Sequence, residues 1–364
     1  MGRDRAQRQP AVTGVSSKRM TSVREARANA TPDSARVVSD KNTVQFRRAL
    51  LAWYDANRRD LPWRRTRDPY AIWLSEIMLQ QTRVAAVLEH YRIFLERFPS
   101  VEALAAASED DVLAAWSGLG YYRRARMLHR CAREIVKEHS GRFPEDAPAL
   151  RELPGIGRYT AAAIASIAFA DRVAVVDGNV ERVLSRLNGR NLTVQQGWDR
   201  AQELLSKSRP GDFNQAMMEL GATVCLPREP RCLVCPVRRW CATRGEVRRA
   251  KAPARQKRRE IWCSLDRRDG QVRLVRRPKT NTLMAGMWEL PQWTEAPAAA
   301  RAGEPWRTFR HSITVTDYTV HVLRGGRGNG SDPGVRGKWI AIDRIPQLPI
   351  TGLTRKILKA DGLI

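Results

Sequence analysis

The sequence predicts an all-α domain followed by a smaller α/β domain, and three observations carry that expectation. Apolar residues recur at helical spacing from residue 43 to about 241, broken only by capping residues, prolines and glycines. No sustained alternation of apolar and polar residues occurs within that stretch. After Glu260 the character changes: β-prone runs at 261–265 and 272–275 flank Arg268-Asp269-Gly270, a hairpin signal. A chain of 364 residues has room for two cores or more, since one core usually serves about 100–200 residues.

The elements follow in order. Residues 1–42 are rich in Arg, Ser and Ala, with nine basic against four acidic side chains and no apolar period, so a disordered basic tail is expected. It is either a nucleic-acid-binding arm or an unstructured extension; Asp4, Glu25, Asp33 and Asp40 argue against a transit peptide. Phe46, Leu50, Leu51, Trp53 and Tyr54 keep a helical period. Asp68-Pro69 supplies an N-cap and a first-turn proline for a helix over 70–83, and a further helix over 84–98 ends at Pro99. Ser108 with Asp111 three residues on forms a capping box before the run 112–116, which Gly118 and Gly120 end. A basic helix over 123–139 comes next. Pro154-Gly155-Ile156-Gly157 then turns into an Ala-rich helix over 160–170. Asp177 opens a helix over 180–187, and Asp212 is placed to cap one over 213–224. Residues 43–241 thus form the helical domain. Residues 242–259, with eight basic and one acidic side chain, form a solvated linker. Residues 260–364 form the α/β domain, with strands expected over 313–323 and 339–342 and a helix over 352–359.

Composition narrows the function. Lys and Arg number 64 against 38 Asp and Glu, a net charge of +26, yet 43% of residues are hydrophobic, enough for a real core. A globular protein this basic usually meets a polyanion, most often nucleic acid and less often an anionic membrane; the alternative is a basic surface kept for solubility. No window of about 18 apolar residues is present, so no transmembrane helix is expected, and no membrane partner. The first twenty residues lack a secretory core segment. A reducing compartment follows, the cytoplasm and its nucleoid if the source is bacterial.

Four features carry chemistry. Cys225, Cys232, Cys235 and Cys241 crowd into seventeen residues at C-x6-C-x2-C-x5-C spacing, a thiolate set suited to a [4Fe–4S] cluster, with zinc as the alternative. Arg228, Arg231, Arg238 and Arg239 share that loop and are available to phosphates. Gly155 and Gly157 lie between Leu153-Pro154 and a helix start, a helix–hairpin–helix pattern that grips DNA backbone without base specificity. Glu76 is the only charge in a helix apolar on every side; buried, it stays protonated and suits a general acid, unless it pairs with a buried Arg. Asp177 closes the β-prone run 173–176 and is either an ordinary N-cap or a fixed, ionised carboxylate with a second task. Gln80-Gln81-Thr82 and Tyr121-Tyr122 offer amides and aromatics able to wedge into a base stack.

These pieces together resemble the MutY family of adenine DNA glycosylases. The resemblance rests on Leu61-Pro62-Trp63-Arg64, on the run from Trp73 through Glu76 and Leu79 to Thr82, and on Gly118-Leu119-Gly120-Tyr121-Tyr122. It rests also on the run from Leu153 to Ala161, on Val176-Asp177-Gly178-Asn179-Val180, and on the cysteine loop. It is close over 43–241 and loose over 260–360. It implies a helix-hairpin-helix glycosylase with a [4Fe–4S] loop and a C-terminal Nudix-like domain. The implied enzyme is a monomer that excises adenine mispaired with 8-oxoguanine or guanine from double-stranded DNA, flipping the nucleoside into a pocket between two helical subdomains. Glu76 would protonate the adenine ring and Asp177 would stabilise the cationic sugar. Tyr159 and Asn179 would orient Asp177 and the substrate. Trp63, Arg64 and Leu79 would line the pocket, Gln81 and Tyr121 would enter the duplex, and Gly155 and Gly157 would hold the backbone. The related endonuclease III family carries at the Tyr159 position a lysine that forms a Schiff base; a phenol there implies base removal without strand cleavage.

The Nudix-like part is anchored by the run from Leu283 to Pro291 and shows no Glu-rich metal box. The family reads 8-oxoguanine with a Phe-Ser-His loop. Aligned on Phe309-Arg310-His311, this chain has Ile313-Thr314-Val315 instead, so Thr314 is expected to contact the lesion with reduced selectivity. The rival readings are an endonuclease III-like oxidised-pyrimidine glycosylase and a non-catalytic DNA-binding paralogue.

Overall fold

The computed structural model describes residues 42–244, 257–296, 304–313, 315–325 and 337–364. The expected tail, most of the basic linker and Thr314 lie outside the described residues.

The helical part runs α1 (Thr43–Asn57), α2 (Pro69–Leu79), α3 (Val84–Arg97), α4 (Val101–Ala106), α5 (Glu109–Ala115), α6 (Arg123–His139), α7 (Ala147–Glu152), α8 (Arg158–Ala168), α9 (Gly178–Leu187), α10 (Val194–Leu204) and α11 (Pro210–Thr223). Local chemistry sets most of the starts. Asp68 accepts from the Tyr70 and Ala71 amides ahead of α2, and Ser108 accepts from the Asp111 amide ahead of α5. Asp177 accepts from the Val180 amide at 2.7 Å ahead of α9. Helix α11 departs from the sequence expectation. Its N-cap is Arg209, Pro210 occupies the first turn, and Asp212 lies inside the helix, ion-paired to Arg209 at 2.7 Å. Proline at the first helical position set that boundary and left Asp212 no capping role. Helix α10, capped by Thr193 with Gln196 in a reciprocal box, had no counterpart in the sequence reading.

Two cores divide the helices. One gathers α2 to α8 around Trp73, Trp116 and Phe94. The other joins α1 to α9, α10 and α11 around Phe46, Phe213 and Leu220. Each fully buried side chain of this size contributes about 2 kcal/mol. The seam between the cores holds the site.

The second part is a seven-stranded mixed sheet. Its strands are β1 (Lys257–Arg268), β2 (Gln271–Arg276), β3 (Trp288–Glu289), β4 (Gln292–Trp293), β5 (Arg307–Ile313), β6 (Thr316–Gly325) and β7 (Lys338–Ala341), followed by α12 (Gly352–Ala360). The order is β3-β2-β1-β6-β5, with β4 on β1 and β7 on β2. Strand β1 runs parallel to β6, and the other pairings are antiparallel. Asp269 (φ 49°) and Gly270 (φ 70°) make the two-residue turn from β1 to β2. The strand expected over 313–323 is two elements: Ile313 ends β5 and pairs with Thr316, where β6 begins. The alternation of Thr, Val and Tyr ran across the hairpin and hid it. No helix among the described residues is long and apolar enough to cross a membrane.

The parts touch through polar contacts, one of them buried. Ser117 Oγ donates to the Ile350 carbonyl at 2.8 Å, and Arg355 Nε donates to Ser117 Oγ at 3.0 Å. Arg276 pairs with Asp110 at 2.6 Å.

Candidate active site

Helix α2 buries every residue from Tyr70 to Met78, Glu76 included. Glu76 keeps 6% of its exposure and faces a pocket of about 610 Å³ in the seam. From its own core come Glu76 and, on α8, Tyr159; across the seam lie Asp177 at the start of α9 and Glu219 on α11. Burial lifts the Glu76 carboxyl from 4.5 to about 7. A hydrogen bond from Tyr159 opposes the shift, and the charge of Asp177 adds to it. The Tyr159 hydroxyl donates to Glu76 Oε2 at 2.7 Å. Burial and the neighbouring carboxylates push that phenol well above its usual range, so it stays neutral.

Asp177 is held differently. One oxygen accepts from the Val180 amide and the other from Asn179 Nδ2 at 2.9 Å. Both oxygens serve as acceptors, the role an ionised carboxylate fills. Asn179 is itself fixed: its Oδ1 accepts from Arg182 Nη2 at 2.8 Å, and Arg182 Nε donates to the Cys225 carbonyl. Gly221 on α11 permits this packing, since a Cβ there would lie 2.6 Å from the Cβ of Asn179. The sequence expectation had Tyr159 and Asn179 orient Asp177 and the substrate. Asn179 reaches Asp177; the Tyr159 hydroxyl is bonded to Glu76 instead.

No arginine pairs with Glu76 among the described residues. Arg64 Nη2 binds Glu219 at 2.8 Å, and Arg59 binds both Glu219 oxygens at 2.7 Å. Burial would raise the Glu219 carboxyl, but these hydrogen bonds outweigh it and hold it at about 2. Glu219 and Arg59 were not singled out from sequence. The signal that found Glu76 was available for Glu219: it is the one acid in the largely apolar run 213–224. Trp63 is buried edge-on to Tyr91 at 5.3 Å, and Leu79 and Gln81 stand at the pocket margin.

Gln81 also lines a second cleft of about 860 Å³ between the helical part and the sheet. Tyr121 and Gly155 line it too, with His311, Ser312 and Ile313 on the sheet side. Tyr121 is 47% exposed. Gly155 adopts φ 79°, and Gly157 caps α8 with extended backbone and no side chain. The imidazole that the sequence reading found missing from 313–315 has a counterpart on this wall four residues before Val315, at His311, with the Ser312 hydroxyl beside it. Thr314 lies outside the described residues.

The alignment of these parts has a counterpart in known proteins. Residues 74–207 match the family described as HhH-GPD superfamily base excision DNA repair protein, and residues 261–360 match the NUDIX domain. An adenine DNA glycosylase of Mycobacterium tuberculosis is 45% identical over 216 residues, 57% of this chain and 68% of that protein. The chain belongs to the adenine DNA glycosylase family. The Homo sapiens family member is 50% identical over 217 residues, 56% of this chain and 40% of that protein. The Arabidopsis thaliana member is 40% identical over 304 residues, 70% of this chain and 48% of that protein. The chain thus spans under half the length of these two family members. Among solved structures, a thermostable thymine-DNA glycosylase is 32% identical with a TM-score of 0.53, covering 56% of this chain and 97% of that one. A trapped endonuclease III–DNA covalent intermediate, 21% identical with a TM-score of 0.50, shares the fold over 57% of this chain and 97% of that one. In adenine DNA glycosylase terms, the helix-hairpin-helix domain carries the carboxylate pocket and the Nudix-like domain carries the outer wall of the cleft.

The cysteine loop lies beside α9. All four of its thiols are free and half-exposed. Arg186 Nη1 donates to Cys225 Sγ at 3.2 Å, a cation placed to balance thiolate charge. Among the described residues no group of three or more His, Cys, Asp or Glu is drawn to metal-holding spacing. The donor chemistry fits a thiolate-bound cluster or zinc: four thiols on one short loop, with a guanidinium against one of them. Arg228, Arg231, Arg238 and Arg239 are all exposed there.

Proposed function

We propose that this protein removes adenine mispaired with 8-oxoguanine or guanine from duplex DNA by acid-assisted hydrolysis of the N-glycosidic bond. The observation that carries this reading is one pocket with two carboxylates in opposite surroundings. Glu76 is dry and holds a proton to about pH 7, whereas Asp177 is fixed as an acceptor by two donors. A flipped adenosine seated between them receives the Glu76 proton on a ring nitrogen. Electrons of the C1′–N9 bond then follow the base, and positive charge spreads over C1′ and the ring oxygen of the sugar. Asp177 faces that charge, stabilising it directly or through a covalent intermediate, until water adds to C1′ and releases a proton. Trp63 and the Glu219-held Arg64 shape the pocket wall.

The phenol at Tyr159 supports base removal without strand cleavage, because the pocket offers no amine there to form a Schiff base. The four cysteines, Cys225, Cys232, Cys235 and Cys241, would hold a [4Fe–4S] cluster, which would supply structure to the arginine-rich loop. Iron, sulfide and zinc analysis with visible absorbance distinguishes cluster from zinc.

The test is excision from duplexes carrying adenine opposite 8-oxoguanine, adenine opposite guanine, or thymine glycol, each with and without alkali. Adenine release from the first two, with strand breaks only after alkali, is the expected result. Preference for thymine glycol would favour the endonuclease III-like reading. Strand nicking without alkali at the rate of base loss would overturn the monofunctional assignment. The ratio of single-turnover rates on the first two duplexes measures selectivity for the oxidised base.

A further inference from the structure

The two turns that face the duplex share one anchor. Gln81 and Tyr121 are both exposed, and both sit in left-handed backbone, φ 55° and 50°. Residues with a Cβ hold that conformation only where their surroundings impose it. One guanidinium borders both turns here.

Arg124, in the first turn of α6, reaches into the junction between these turns. Its Nη1 donates to the carbonyls of Ile77, Met78 and Gln80 at 2.8, 2.9 and 2.6 Å. Its Nη2 donates to Thr82 Oγ1 at 3.1 Å and to the carbonyls of Leu119 and Gly120 at 3.3 Å each. The first four acceptors frame Gln81 at the end of α2, where helix carbonyls lack partners and a cation is favoured. The last two precede Tyr121. The guanidinium carbon also lies 5.3 Å from the ring centres of Trp116 and Tyr121. No carboxylate pairs with Arg124 among the described residues, and its Nε is buried with no hydrogen-bond partner. A half-buried cation with no carboxylate partner is an expensive way to cap one helix. A planar fork that serves two turns at once is something no other side chain provides.

We infer that Arg124 is a positioning residue for base extrusion: it locks the Gln81 and Tyr121 turns at a fixed separation before DNA arrives, so that both side chains enter the duplex together. The inference rests on the proposed adenine excision for its substrate. It assigns Arg124 no contact with the reacting atoms. Its physical content is preorganisation: the turns need no ordering at the moment the base is unstacked.

The test is a comparison of Arg124→Lys in two backgrounds, the unaltered chain and the Gln81→Ala/Tyr121→Ala chain. Lysine keeps the charge but presents one point instead of a fork. Two readouts are taken below the melting temperature of every variant: fluorescence of 2-aminopurine opposite guanine in a bound duplex, which reports unstacking, and the single-turnover rate of adenine release. In the unaltered chain Arg124→Lys should lower both by about tenfold or more; in the double variant the further loss should stay within about twofold. Equal factors in the two backgrounds would mean a general structural role and overturn the inference, as would no loss in either. If the unaltered protein releases no adenine from any duplex, the functional reading fails, while the fluorescence comparison still decides the role of Arg124.

Discussion

Glu76 and Glu219 line one pocket and are both almost completely buried, yet one is pushed up and the other held down. Glu76 sits on the all-apolar helix of the first core, with a neutral phenol as its nearest polar neighbour. Glu219 sits on the facing helix of the second core and is grasped by two guanidiniums. The difference shows that burial alone does not set charge in this seam. The side with no cation keeps a proton to give, and the side with two cations keeps a negative charge that holds Arg64 at the pocket wall.

Breaking the protonated side should have the largest effect. Glu76→Gln keeps the shape and the neutral state but has no proton to transfer, so single-turnover excision should fall by about 10³-fold or more with little change in melting temperature. Breaking the charged side should act on the fold. Glu219→Gln leaves Arg64, itself only 10% exposed, without its counter-charge, and a loss of about 3 kcal/mol in a denaturant titration is expected. An unchanged midpoint would show that the pair contributes nothing to stability.

The pH response sharpens the contrast. Excision should fall about tenfold per unit above pH 7 as Glu76 loses its proton. Stability should follow opposite signs on the two sides. The folded state holds the Glu76 proton more tightly than the unfolded chain does. That contribution is therefore complete below about pH 4.5 and lost as pH rises through about 7. Glu219 contributes above its ordinary range and loses that contribution as pH falls toward about 2. Chemical denaturation of the wild type beside Glu76→Gln at pH 5 and pH 8 checks the first sign, and beside Glu219→Gln at pH 3 and pH 6 the second. The smallest effect belongs to Tyr159→Phe. Removing a hydrogen bond that lowers Glu76 should move the falling limb of the rate profile to higher pH, by about one unit or less. A shift to lower pH would show that the phenol favours the neutral acid.

Much of this arrangement is legible in the sequence, for local reasons. Glu76 announces itself as one charge among apolar neighbours, and Asp177 as a cap, because helix periodicity and capping act over a few residues. The partners of Glu219 are not legible. Arg59 lies 160 positions away, and only the packing of α11 across the seam brings them together. The six acceptors of Arg124 are mostly backbone carbonyls, which carry no residue identity to read. The 313–323 stretch misled because a hairpin with apolar residues at both ends keeps the same alternation as one long strand.

The contacts between Ser117, Ile350 and Arg355 bear on synthesis of the chain. The helical domain has been synthesised by about residue 244, but the turn ahead of Tyr121 is walled on its far side by residues more than a hundred positions beyond that point. At roughly 5–20 residues per second, that is a wait of about 5–20 seconds. A nascent or prematurely released chain would carry the complete carboxylate pocket while its Tyr121 turn still lacked one of its two walls.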